Sequence, residues 1–216
     1  MITLQQIQKR LDNILGSTIN LSSYYYYKDY SKTLLKRFEH EAFYLDLFQR
    51  CKSMKAISTD QIIQYSDDLP FGNGPEQIHN EHRSKNSYKS ENEDLNVYLR
   101  RNLIGGLRSR VILSFYKKSL FYFGYNFSSL SERNKEKIIK TIEDKYLNGS
   151  TFSTEEFSIR DSSGNHLIIE DGVNLKIHYI AFRLDIFNEF MEKENELVRD
   201  AKKREEENQK ELFRKL

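Results

Sequence analysis

DLNVYLRRNLIGGLRSRVILSFYKKSLFYFG, residues 94–124, sets the frame for the rest of the chain. Val97, Ile104, Leu107, Val111 and Phe115 follow one helical stripe, and Ile112, Tyr116 and Phe123 follow another. A helix that is apolar on more than one side is surrounded by other helices. Residues 94–124 are therefore expected to form the central helix of the fold. The Gly105-Gly106 pair inside it costs roughly 1 kcal/mol per glycine relative to alanine, which implies a kink or a close backbone approach.

Working outward, the pattern stays helical. Thr3 and Gln6 have the form of a capping box ahead of Leu4, Ile7, Leu11 and Ile14, and Gly16 closes that short helix. A long second helix is predicted over residues 23–54, with Tyr27, Leu34, Phe38, Leu45 and Phe48 among its apolar positions, and Thr59 caps a brief third with Ile62 and Ile63. The Pro70-Phe71-Gly72-Asn73-Gly74-Pro75 segment must end it. Residues 72–93 are polar enough to be a mobile loop. Ser131 opens a further helix carrying Ile138, Ile139, Ile142 and Tyr146, closed by Asn148-Gly149.

The period changes to two only between residues 156 and 171. There Phe157-Ser158-Ile159-Arg160 and His166-Leu167-Ile168-Ile169 flank the Asp161-Ser162-Ser163-Gly164-Asn165 turn of one β-hairpin. A final helix begins near Val173 and carries Ile177, Ile180, Ala181, Leu184, Phe187 and Met191 toward the core. Beyond Met191 the stripe thins to Leu197, Val198, Ala201 and Leu212, and acidic and basic residues alternate through residues 192–215. Such a segment holds its helix by i,i+4 pairs of only about 0.2–0.5 kcal/mol each, so it projects into solvent or onto a partner. The predicted fold class is mainly α: an irregular multi-helix bundle in one domain over residues 1–191, with one β-hairpin and a charged C-terminal helical extension at 192–216.

Composition narrows the function classes. The 216 residues suffice for a real core without staples, and the rings of 14 Tyr and 14 Phe, with no Trp, make that core aromatic-rich. Cys51 is the only cysteine, which excludes an internal disulfide or a zinc site needing two thiolates and fits a reducing cytoplasm. The N-terminal residues mix Gln, Lys, Arg and Asp with apolar ones, unlike a signal peptide. Residues 111–127 form the longest apolar-looking run, but Lys117 and Lys118 interrupt it and it falls short of a membrane span. With 34 basic and 32 acidic side chains, no overall field draws the protein to nucleic acid, and any such binding requires a local patch.

Several groups invite a chemical reading. His79 and His82, with Glu76 nearby, offer two imidazoles and a carboxylate, but in so polar a stretch ligands would not be held, and no metal or cofactor is expected. Glu156, Glu170 and Lys176 invite comparison with the acidic-plus-lysine sites that position Mg²⁺ and water, though two strands are too few to build one. Arg160 and His166, five residues apart, resemble in spacing the Arg-x(4–6)-His motif of the helical HEPN ribonucleases, whose pair acts on the RNA phosphodiester. In that family the motif lies on and just after a helix, whereas here the turn places the two residues on opposite arms of a hairpin.

Tyr24, Tyr25, Tyr26, Tyr27 and Tyr30 cannot all face one core from a helix, so some are exposed for partner contact or base stacking. Arg100, Arg101, Arg108, Arg110, Lys117 and Lys118 form the densest basic cluster, a set of phosphate contacts if they surface together. The functional expectation is a non-enzymatic accessory subunit of a larger cytoplasmic assembly, with a protein partner or self-association. It would engage through the tyrosines, the hairpin or the C-terminal helix. The alternative is a nucleic-acid binder or a HEPN-like ribonuclease.

Overall fold

The computed structural model describes residues 31–78, 87–91 and 94–215. Residues 94–124 are not a helix. They form most of a three-stranded meander: β3 is Leu95–Ile104, β4 is Leu107–Tyr116 and β5 is Ser119–Phe127. The Gly105-Gly106 pair, at φ +56° and +79°, is not a kink but the two-residue turn of the β3–β4 hairpin, which only residues tolerant of left-handed backbone enter cheaply. Lys117 and Lys118 take the same left-handed conformation, at φ 47° and 64°, between β4 and β5. There the Cβ atoms make the turn cost roughly 1–2 kcal/mol per residue. Lys117 offsets part of it by donating its backbone N–H to Asp94 O at 2.8 Å and pairing its Nζ with Glu189 at 2.7 Å.

The mainly-α bundle is thus corrected to a mixed eight-stranded sheet with helices on both faces. The remaining strands are β1 (Lys55–Ser58), β2 (Ser87–Glu91), β6 (Phe157–Arg160), β7 (Asn165–Asp171) and β8 (Leu175–Ala181). The order is β1-β6-β7-β8-β5-β4-β3-β2, antiparallel throughout except for β1 beside β6. The hairpin read from sequence is β6–β7, now extended on both sides into the full sheet.

Three other expected helices change. The long helix expected over residues 23–54 is broken, where described, at Glu39-His40: helical residues 31–38 (α1) turn into α2, Glu41–Ser53. The break sets the Phe38 and Phe43 rings edge to face at 4.5 Å. The helix expected from Val173 is instead β8 followed by α4, Leu184–Lys215. The segment with Ile62 and Ile63 is irregular, with Ile63 buried and Ile62 exposed.

Burial explains why the meander carried no clean period of two. Residues 109–116 of β4 are buried without a break, because both faces of the sheet are covered. On one face Leu35 and Phe38 of α1, Tyr44, Leu47 and Phe48 of α2, and Ile186 and Phe190 of α4 pack on Val97, Leu99, Ile112, Ile168 and Ile180. On the other, Ile63, Leu69 and α3 (Glu132–Tyr146) cover Val111, Leu113, Phe123, Ile169 and Ile177. Helix α3 begins after Ser131 and ends at Asn148-Gly149, as read from sequence, and both closing residues have positive φ. Among the described residues no helix is long and apolar enough to cross a membrane.

Candidate functional site

Strand alternation divides the basic cluster among three places. Arg100 shares a face with Tyr98, donates to the Tyr65 hydroxyl and lies over that ring. Arg101 and Arg110 are cross-strand partners on the opposite, helix-covered face, with Arg108 two pairs nearer the turn. Lys117 and Lys118 form the turn at the far end of the ten-residue β4. Arg110 is buried, and its Nη1 lies 3.5 Å from Ser128 Oγ.

Register then brings together residues that the sequence keeps far apart. Arg101, Arg110, Asn126, Lys176 and Glu170 are successive partners across β3, β4, β5, β8 and β7, and so form one polar row. At its end Glu170 bonds Arg50 of α2, pairs with Lys176 Nζ at 2.7 Å and lies 3.6 Å from His178 Nε2. His178 and then Lys176 hold the Glu170 carboxyl well below the usual range, against the opposing effect of burial. Burial lowers His178 in turn and outweighs the pull of Glu170. The Nδ1 of His178 meets the Tyr122 hydroxyl at 2.9 Å. Tyr122 reaches it across Gly124, where a Cβ would strike that hydroxyl.

This assembly is a carboxylate neutralised by flanking cations, closed off by a buried imidazole and phenol. Lys176 is the register partner of Glu170, whereas Glu156 sits just before β6, its carbonyl accepting the Lys55 N–H at 3.1 Å. Among the described residues no three His, Cys, Asp or Glu side chains converge to hold a metal ion. Arg50, Tyr122, Asn126 and His178 escaped the sequence reading. The one available signal was Lys176 and His178, two apart in an otherwise apolar run, the spacing of one strand face.

Arg160 and His166 are register partners, but their environments differ: Arg160 is exposed while His166 is 5% exposed, with Nδ1 3.2 Å from Ser158 Oγ. Burial first, and Arg160 second, push the imidazole down to about 4, so it is neutral near pH 7. Asp161 binds the turn together, accepting the backbone N–H groups of Ile63, Ser163 and Asn165 at 2.9 Å each. The hairpin's polar groups thus hold the irregular segment with Ile63 to the sheet. Tyr24, Tyr25, Tyr26, Tyr27 and Tyr30, like His79 and His82, lie outside the described residues.

Helix α4 has two unlike halves. Its start is anchored by buried Ile186 and Phe190, by Tyr116 donating to Glu189 at 2.6 Å, and by Lys193 paired with Asp94 at 3.2 Å and Glu41 at 3.6 Å. From residue 195 to residue 215 every position is exposed. At 1.5 Å per residue this half is about 30 Å long. It carries Leu197, Val198, Leu212 and Phe213 into solvent, at 65%, 46%, 63% and 88% exposure. Comparison with known protein families, characterised proteins and solved structures finds no match to this chain.

Proposed function

We propose that the chain is a non-enzymatic interaction protein, an accessory subunit that docks through the exposed half of α4. The observation that supports this most directly is the exposure of every residue from 195 to 215 on a helix that still bears four large apolar side chains. Exposed apolar side chains along a helix that leaves the fold mark a contact surface. The sheet-face groups favour the same reading, since Glu170, His178, His166 and Asp161 are engaged in holding elements together.

The test is affinity purification of the full chain from its native cell beside a Leu197→Asp, Leu212→Asp variant of equal thermal stability. A protein retained in stoichiometric amount by the parent and lost by the variant supports the proposal. Equal retention by both, or no retained protein, overturns it. The second reading, nucleic-acid binding, has in its favour the direct cross-strand placement of Arg101 beside Arg110, with Arg108 near them. Salt-sensitive RNA or DNA binding that Arg108→Ala weakens would move the assignment there.

A further inference from the structure

We infer that the exposed half of α4 pairs antiparallel with the same segment of a second copy of this chain, an inference that rests on α4 being the docking arm. At 100° per residue Glu194, Leu197, Ala201, Asn208, Leu212 and Lys215 fall within an arc of roughly 60°. Phe190, buried on the body, lies on the same arc, so the stripe that anchors the helix continues past the edge of the fold. Reversing the helix about the point between Arg204 and Glu205 maps this stripe onto itself. Leu197 then meets Leu212 of the second copy, Ala201 meets Asn208, and Glu194 meets Lys215.

The charges obey the same symmetry. Beside the stripe, one flank carries Lys202 and Glu205 and the other Arg204 and Glu207, and the antiparallel arrangement sets Lys202 near Glu205 of the second copy and Arg204 near its Glu207, while Lys203 and Glu206 lie on the far side of the helix. A parallel, in-register pair would instead set Glu194 against Glu194 and Lys215 against Lys215, which is destabilising. Charge complementarity together with the self-matching stripe therefore selects one occupant and one orientation.

Sedimentation of the full chain over a range of concentrations tests this, using two double variants at exposed positions. One is Lys202→Glu, Arg204→Glu; the other is Glu205→Lys, Glu207→Lys. The parent should dimerise reversibly and less tightly at high salt. Each variant should dissociate at a concentration at least about tenfold higher, with its thermal midpoint in dilute solution unchanged, and the two mixed should associate again. Orientation is read by oxidation: Leu197→Cys mixed with Leu212→Cys should cross-link, and Leu197→Cys with itself should not. A parent that stays monomeric to several hundred micromolar, a dimer indifferent to both charge reversals, or self-cross-linking of Leu197→Cys overturns the inference. The docking-arm reading is separable, since it still stands if the native-cell purification retains a different protein that Leu197→Asp, Leu212→Asp releases.

Discussion

Replacing Phe190 by alanine should separate the two halves of α4 energetically. The side chain is fully buried, and its ring centre lies 4.8 Å from that of Tyr116, 5.8 Å from Phe121 and 6.0 Å from Tyr44. Removing a buried phenylalanine from such a setting costs about 3–5 kcal/mol, the transfer of the ring plus the cavity left among three aromatic neighbours. In a domain of this size each kcal/mol lowers the thermal midpoint by about 2–4 °C, so a fall of about 6–20 °C is expected. Leu212→Ala, on the same helix but exposed, should cost less than about 0.5 kcal/mol. Urea unfolding followed by far-ultraviolet circular dichroism and by tyrosine fluorescence reads both, at a protein concentration low enough for the chain to be monomeric. A Phe190→Ala cost below about 1 kcal/mol, or a Leu212→Ala cost equal to it, would refute the anchored-and-projecting division of the helix.

Gly124→Ala should destabilise by about 1–3 kcal/mol because its Cβ strikes the Tyr122 hydroxyl, and combining it with Tyr122→Phe should recover part of that loss in urea melts. An equal cost in the Tyr122→Phe background would count against the close approach. His166, held at about 4 when folded against 6.5 when free, keeps the native state from taking a proton that the unfolded chain accepts. Stability should therefore fall with pH between about 6.5 and about 4, by about 2–3 kcal/mol from this residue at pH 4.5. His166→Gln should flatten that slope, leaving the contribution of His178, which burial also lowers; parallel profiles for parent and variant would refute it. Cys51, buried and pushed up to about 12, should be inert to thiol reagents in the native protein at pH 8 and react once per chain in denaturant.

Legibility in the sequence followed how each segment is buried. Helix α3 has one covered face, and both it and the β6–β7 hairpin have clear end signals, Ser131 and Asn148-Gly149 for the helix and Asp161 to Asn165 for the turn. Their local pattern and their tertiary setting agree. The β3–β5 meander is packed on both sides, so its apolar residues lose the alternation that marks a strand, and chance matches at helical spacing filled the gap. Gly105-Gly106 was a readable hairpin signal. Lys117-Lys118 was not, because lysine enters left-handed backbone only where Asp94 and Glu189 hold it.

The polar row was hidden for a different reason. Arg50, Asn126, Glu170 and His178 come from separate elements, and their meeting depends on the strand order β7-β8-β5-β4-β3 and on register. A slip of one residue would turn Glu170 to the other face. What the amino-acid order determined by itself was what depends on neighbours a few residues away: the α3 caps, the hairpin turn, and the charged helix too polar to bury. The sheet, the layer on each side of it and the polar row were decided by contacts between distant segments, because a strand acquires its pairing energy and its burial only from strands and helices elsewhere in the chain.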